Sequence, residues 1–139
     1  PQVSRAEKLR AEAVLNAVGE VLWVEREELI DAVTAVSGSG PAYVFYFIEA
    51  LRTAALELGF ATADAQKLAM ATFDGAVRLA QASEEDVAVL RARVTSKGGT
   101  TERALLTMER DRVGAAIVKA VHGAMQRAGE LGDELGKSQ

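Results

Sequence analysis

The fold is decided by residues 41–58, which run PAYVFYFIEALRTAALEL. Pro41 suits the first turn of a helix, where a missing N–H costs nothing, and Gly59 is a typical stop. The predicted helix is apolar over most of its circumference, through Tyr43, Phe45, Tyr46, Phe47, Ile48, Leu51, Ala54, Ala55 and Leu58. Such a helix is buried on several sides. The rest of the chain cannot easily cover it from every side, so a second copy is expected to complete the burial as a homodimer.

The flanking sequence also predicts helices. Residues 4–7 form the S-x-x-E pattern of a capping box, Thr62 suits an N-cap, and residues 83–86 supply further hydroxyl and carboxylate caps. Residues 37–40 are expected to join two helices, and the tail 132–139 is expected to fray. The predicted helices span about 5–17, 28–36, 41–58, 63–81, 101–109 and 112–131, with another that follows the caps at 83–86 and ends near Arg93. The predicted fold class is therefore all-α.

One segment departs from this helical pattern. Residues 21–24, VLWV, are short, β-branched and aromatic, and polar residues flank them. This composition predicts a β-strand. Because a lone strand cannot pair its own edges, we expect a sheet outside this chain, or a second copy, to pair with it.

Composition limits the possible functions. At 139 residues the chain is expected to be one domain with a real core. A net charge of −4 without a Lys/Arg run argues against a nucleic-acid partner. The absence of cysteine excludes disulfides, thiolate chemistry and a cysteine zinc site, and no metal site is predicted. No apolar run approaches the roughly 18–20 residues that span a bilayer, so no membrane partner and a cytoplasmic location are expected. The chain starts at Pro1 without a signal-peptide layout, which suggests a piece of a longer protein.

A second stretch carries the candidate chemistry. Residues 94–101, VTSKGGTT, contain two adjacent glycines and four hydroxyl side chains, and an apolar-periodic segment follows. Glycines that open a helix leave backbone N–H groups uncovered, and the helix N-terminus adds a positive field. The loop is a candidate pocket for a small anion such as a carboxylate. A hydroxyl N-cap after a glycine-rich turn explains the same residues.

Together these motifs resemble pyrroline-5-carboxylate reductase. The resemblance rests on residues 31–43, DAVTAVSGSGPAY, followed by residues 94–101 in the same order and separation, with GEVLWV at 19–24 before them. It extends from about residue 4 to residue 131. The family it points to is an oxidoreductase of proline biosynthesis, which reduces the cyclic imine 1-pyrroline-5-carboxylate to proline with NADPH or NADH.

The resemblance also implies an architecture. That family joins an N-terminal Rossmann-type dinucleotide-binding domain to an all-helical dimerisation domain, of the kind found at the C-terminus of 6-phosphogluconate dehydrogenase. This chain shows no G-x-G-x-x-G after a strand near its start. Residues 1–27 are therefore expected to be the last helix and strand of the cofactor domain, and residues 28–139 the dimerisation and substrate-binding domain. The isolated chain is expected to be inactive and to bind NADP or NAD only weakly, and dimers or higher homo-oligomers are expected.

The resemblance assigns roles to the loop. The substrate-binding residues that it implies are Ser96, Gly98, Gly99, Thr100 and Thr101. The Ser96 hydroxyl and the N–H groups of Gly99 and Thr100 are expected to hold the substrate carboxylate. The Thr101 hydroxyl is the catalytic candidate, in contact with the ring nitrogen. Many relatives have proline where this chain has Lys97, which either loosens the turn or adds a positive charge at its mouth. Cofactor-binding residues are expected mostly outside this chain.

Other candidates have simpler structural explanations. His122, the single histidine, suits a helix surface or an interface. Residues 84–86 offer carboxylates near the imine, although the helix dipole favours acidic residues in a first turn equally well. Residues 37–40 either line the active site or only join helices. Aromatic side chains are expected in the core or dimer interface at Tyr43, Tyr46 and Phe47, and in packing at Trp23. A related two-domain reductase acting on another small acid and a non-enzymatic dimerisation module remain alternative functions.

Overall fold

The computed structural model describes residues 3–136. This range contains seven α-helices and one π-helical turn, and no β-strand. The elements are α1 (Arg5–Leu15), α2 (Glu28–Val33), the π-turn (Thr34–Gly38), α3 (Gly40–Glu57), α4 (Thr62–Gln81), α5 (Val87–Arg93), α6 (Thr100–Arg110) and α7 (Val113–Gly136). The all-α prediction is confirmed.

Helix α1 begins at the predicted capping box. The Ser4 hydroxyl accepts a hydrogen bond from the Glu7 N–H at 3.3 Å, and the Glu7 carboxylate accepts one from the Ser4 N–H at 2.8 Å. A further hydrogen bond from the Ser4 hydroxyl lowers the pKa of Glu7, because it favours the charged carboxylate. These contacts satisfy two N–H groups that the first turn leaves without intrahelical partners.

The strand predicted at residues 21–24 is wrong for this chain. The segment forms no ladder, because a strand exists only when a neighbouring strand accepts from its N–H groups and donates to its C=O groups. Trp23 instead lies against α1, where its indole N–H donates to the Glu12 carboxylate and the Lys8 ammonium lies 5.2 Å from the ring centroid. Leu22 stays 74% exposed. The segment therefore presents apolar side chains that this chain does not cover.

The junction between α2 and α3 also differs from the prediction. The expected helix at 28–36 stops at Val33, and the π-turn then leads through Ser39 into α3, so residues 37–40 are not an open connection. The Tyr43 hydroxyl donates to the Ala35 carbonyl at 3.0 Å, and the Ser39 N–H donates to the Thr34 carbonyl at 2.9 Å. These bonds fix the turn on the first part of α3, with Ala35 only 1% exposed.

Two helix ends differ from the sequence prediction. Thr62 is the first residue of α4 rather than its cap, since Ala61 takes the N-cap position without a side-chain hydrogen bond. The tail does not fray before residue 136, because α7 continues to Gly136. Arg127 contacts Glu130 at 3.1 Å and Glu134 at 2.9 Å on that last stretch. Residues 137–139 lie outside the described range.

The helices pack openly. Helix α3 packs on α4, and α7 packs on the π-turn, α2 and α6. The buried apolar side chains among residues 3–136 are few and mostly small: Ala35, Ile48, Ala65 and Ala69. The accessible surface is 11704 Å², whereas a compact monomer of 14.7 kDa exposes about 6,900 Å². A single copy therefore leaves much of its apolar surface uncovered.

Candidate functional site

The loop between α5 and α6 has a defined backbone conformation. Gly98 has φ +75°, a left-handed conformation that side chains disfavour. Its N–H donates to the Glu102 carboxylate at 2.7 Å. Gly99 is the N-cap of α6, and its N–H donates to the Ser96 carbonyl at 3.0 Å. Upstream, the Thr95 hydroxyl donates to the Arg91 carbonyl at 2.6 Å, which ties the loop to the end of α5.

Ser96 folds back over Gly99. A Cβ added at Gly99 would lie 2.4 Å from the Ser96 hydroxyl oxygen and 3.0 Å from its carbonyl oxygen. Real Cβ atoms essentially never come within 3.0 Å of another heavy atom. The Ser96 hydroxyl can therefore occupy this position only because residue 99 is a glycine.

The hydroxyl N-cap, the simpler explanation of this sequence, is wrong. Helix α6 has no side-chain hydrogen bond at its cap. Within residues 3–136 the hydroxyls of Ser96, Thr100 and Thr101 make no hydrogen bond. The N–H groups of Thr100 and Thr101 belong to the first turn, where no intrahelical acceptor exists. The loop thus gathers free donors at the positive end of an 11-residue helix.

The expected role of the Gly99 N–H needs correction. That amide already donates to the Ser96 carbonyl, so it is not a free donor in this conformation. The Gly98 amide is occupied as well, by Glu102, a contact that sequence reasoning missed. The signal for it is the acidic residue at the third position of α6, from which a carboxylate can reach back to the start of its helix.

The three acidic residues before α5 have different environments. Asp86 caps α5 by accepting from the Ala88 N–H at 2.7 Å. Glu85 is half-buried and pairs with Arg93. These contacts explain two of the three carboxylates structurally. Glu84 is exposed and makes no interaction within residues 3–136, so it stays the candidate for a carboxylate near a bound imine. His122 is exposed on α7.

An apolar groove of about 610 Å³ separates α3 from α7. Its lining is almost entirely apolar and aromatic, comprising Ala42, Tyr43, Tyr46, Phe47, Asp111, Val113, Ala116, Ile117, Ala120 and Val121. Tyr46 is 70% exposed although it lies on the most apolar helix of the chain. Tyr43, Tyr46 and Phe47, predicted for the core or an interface, therefore meet on an open surface.

Residues 3–136 contain neither a membrane-spanning helix nor a cluster of metal ligands. In the range that the structure describes, no helix combines the length and hydropathy needed to cross a membrane. The same residues hold no group of three or more metal-ligating side chains placed to share an ion.

Fold and site define a class of protein: an all-helical domain with an uncovered apolar groove and free donors at a helix N-terminus. The chain belongs to the pyrroline-5-carboxylate reductase dimerisation family, whose model matches residues 27–131.

The chain is similar to curated proteins named pyrroline-5-carboxylate reductase. The chain is 44% identical to pyrroline-5-carboxylate reductase of Pseudomonas aeruginosa over 136 residues, which cover 98% of this chain and 50% of the relative. It is 46% identical to the Synechocystis enzyme over 123 residues, covering 88% of this chain and 46% of the relative. The chain therefore spans about half the length of the curated relatives it matches.

Solved structures agree with this assignment. A pyrroline-5-carboxylate reductase from Coxiella burnetii superposes with a TM-score of 0.88 at 43% identity, over 93% of this chain and 48% of that one. The Plasmodium falciparum pyrroline carboxylate reductase, solved with NADP bound, superposes with a TM-score of 0.84 at 29% identity, over 91% of this chain and 48% of that one.

Proposed function

We propose that the protein containing this chain reduces 1-pyrroline-5-carboxylate to L-proline with NADPH or NADH. Within it, residues 28–139 supply the dimerisation surface and the loop that binds the substrate carboxylate. The observation that carries the proposal is the unpaired donor set of Ser96, Thr100 and Thr101, in a chain that matches the family over residues 27–131. Residues 1–27 belong to the preceding domain, in keeping with a family match that starts at residue 27.

The nicotinamide cofactor does not fit the described residues. Its pyrophosphate needs a glycine-rich turn between a strand and a helix. The glycine pair at Gly38 and Gly40 instead ends a π-turn and begins α3, after a helix. The cofactor is therefore assigned to a domain outside residues 28–139. The NADP in the Plasmodium falciparum structure is compatible with NADP as cofactor, and NAD remains the alternative.

The loop has a positioning role in this scheme. The Ser96 hydroxyl and the Thr100 and Thr101 amides are free to donate to carboxylate oxygens, and the helix dipole favours the negative charge there. The Thr101 hydroxyl, half-buried at the same helix end, is assigned to the ring nitrogen. Binding both the carboxylate and the ring nitrogen fixes the orientation of the ring. In an enzyme that forms no covalent intermediate, this orientation is a main source of the rate enhancement.

Two substitutions test these roles in the two-domain protein. Thr101→Ala should lower kcat by an amount equivalent to about 1–3 kcal/mol, the loss of a hydrogen bond to the reacting ring. Ser96→Ala should act mainly on the KM for 1-pyrroline-5-carboxylate, because the carboxylate is held similarly in the ground and transition states. Steady-state kinetics and thermal melting of each variant provide the measurement.

Thr107→Ala is the matched control. It removes a hydroxyl from the same helix, but that hydroxyl donates to the Arg103 carbonyl at 3.1 Å, away from the loop. Its kinetic constants should stay at the wild-type values. If Thr101→Ala and Ser96→Ala lower the melting temperature and leave kcat and KM unchanged, both residues are structural and the site is wrongly placed.

We also propose that the functional unit is a homodimer in which a second copy covers the groove between α3 and α7. The dimerisation family match and the accessible surface of 11704 Å² support this. Substrate specificity separates this reductase from a related two-domain reductase that acts on another small acid. Proline-forming activity in the two-domain protein, with no activity on other keto or imino acids, identifies the pyrroline-5-carboxylate reductase.

A further inference from the structure

Positive charge is concentrated around the loop in an otherwise acidic chain. Residues 91–103 contain four basic residues and one acidic residue, a net charge of +3, whereas the whole chain carries −4. The basic residues are Arg91, Arg93, Lys97 and Arg103, and the acidic one is Glu102. This segment joins the last turn of α5 to the first turn of α6, so its charge adds to the positive end of the α6 dipole.

Not all of these positive charges are free to attract an anion to the loop. Arg93 is paired with Glu85, and the Glu102 carboxylate is bound to the Gly98 amide, where it opposes an incoming anion. Lys97 is exposed and makes no ion pair within residues 3–136. It is also the one cation inside the turn, between Ser96 and Gly98.

Lys97 follows Ser96 directly in the loop, and consecutive Cα atoms lie about 3.8 Å apart. The Lys97 side chain is exposed, and its flexible stem lets the ammonium come within a Debye length, about 8 Å at physiological ionic strength, of a carboxylate on the Ser96 hydroxyl. The ammonium is a mobile point charge on a flexible stem, and it needs no fixed geometry to act over that distance.

We propose that Lys97 is a specificity-determining residue that favours the anionic substrate of the loop over its zwitterionic product. This inference rests on the proposed function. 1-Pyrroline-5-carboxylate with an unprotonated imine carries one negative charge, from its carboxylate. Proline carries an ammonium beside its carboxylate and has no net charge. A cation at the loop attracts the former and gains little from the latter, so it strengthens substrate capture without retaining product.

Kinetics of the two-domain protein test the proposal. Lys97→Gln should raise the KM for 1-pyrroline-5-carboxylate about two- to fivefold at an ionic strength near 0.01 M, the range of an exposed charge interaction. The difference from wild type should shrink near 0.15 M, where the Debye length falls from about 30 Å to about 8 Å. The inhibition constant for proline and the KM for NADPH should not change.

Two further variants complete the experiment. Lys97→Arg keeps the charge and should keep the wild-type KM and its salt dependence. Lys67→Gln removes one exposed lysine from α4 and should alter neither constant. A KM that stays at wild type in Lys97→Gln overturns the proposal, as does an equal rise in the proline inhibition constant, a salt-independent change or an effect on NADPH alone.

The same data distinguish the role of Lys97 from the proposed binding of the substrate carboxylate by the loop. If Lys97→Gln is silent while Ser96→Ala raises the KM, the loop binds the carboxylate and Lys97 has no part in selecting it. If both variants are silent, the loop assignment itself fails. If Lys97→Gln folds poorly, the KM for 1-pyrroline-5-carboxylate is measured against ionic strength in the wild type and in Lys97→Arg. A KM that does not depend on salt in either protein also overturns the proposal.

Discussion

Replacing Gly99 with alanine should lower kcat/KM for 1-pyrroline-5-carboxylate about 100-fold, the cost of misplacing a binding group by roughly 1 Å. A Cβ at this position would lie 2.4 Å from the Ser96 hydroxyl oxygen, which must then leave its present position. The Ser96 carbonyl oxygen, 3.0 Å from the same Cβ, must shift as well. This shift weakens the hydrogen bond that the carbonyl accepts from the residue 99 amide. Steady-state kinetics of the two-domain protein measure the effect.

Gly75→Ala is the control for this substitution. Gly75 lies inside α4, and a Cβ there meets nothing within 4 Å. This variant should keep the wild-type kinetics and gain a few tenths of a kcal/mol or more in stability, because alanine is the better helix former. Wild-type kinetics in Gly99→Ala would show that the close approach of Ser96 has no part in binding.

The second large effect concerns the groove between α3 and α7. Tyr46→Asp should convert the dimer of this chain to a monomer at low micromolar concentration, raising the dimer dissociation constant about 1000-fold or more. An isologous dimer contains the substitution twice, and each copy would bury an unpaired carboxylate among apolar side chains. Sedimentation equilibrium should give twice the chain mass for the wild type and the single chain mass for the variant.

Tyr46→Phe provides the comparison for the dimer. It keeps the ring, including the edge-to-face contact with Phe47 at 6.2 Å between centroids, and should remain dimeric. A wild-type chain that sediments as a monomer would refute the homodimer. A dimeric Tyr46→Asp would show that the partner lies elsewhere on the chain.

Local signals in the sequence predicted the helices well. The capping box at residues 4–7 and the stop at Gly59, which has φ +97°, depend on neighbours within a few residues, and both are present. The VLWV segment failed because a strand is defined by a partner that is distant in sequence or absent from the chain. The π-turn was missed because its stabilising bond joins Ala35 to Tyr43 across two elements.

In the candidate loop, too, some features could be predicted from the sequence and others could not. The residue types of Ser96, Thr100 and Thr101 and the following apolar period located a helix N-terminus with hydroxyls, and the structure has α6 beginning at Thr100. The directions of the amides could not be predicted, because Gly98 can adopt positive or negative φ with similar ease. Its φ of +75° accompanies a Gly99 N–H aimed at the Ser96 carbonyl and a Gly98 N–H aimed at Glu102.

The most direct test of the central claim is a crystal structure of the two-domain protein with L-proline bound. A proline carboxylate oxygen should lie within about 2.7–3.2 Å of the Ser96 hydroxyl and of the Thr100 or Thr101 amide, with the ring nitrogen next to the Thr101 hydroxyl. Proline bound elsewhere in the protein, with these donors still facing solvent, would contradict it.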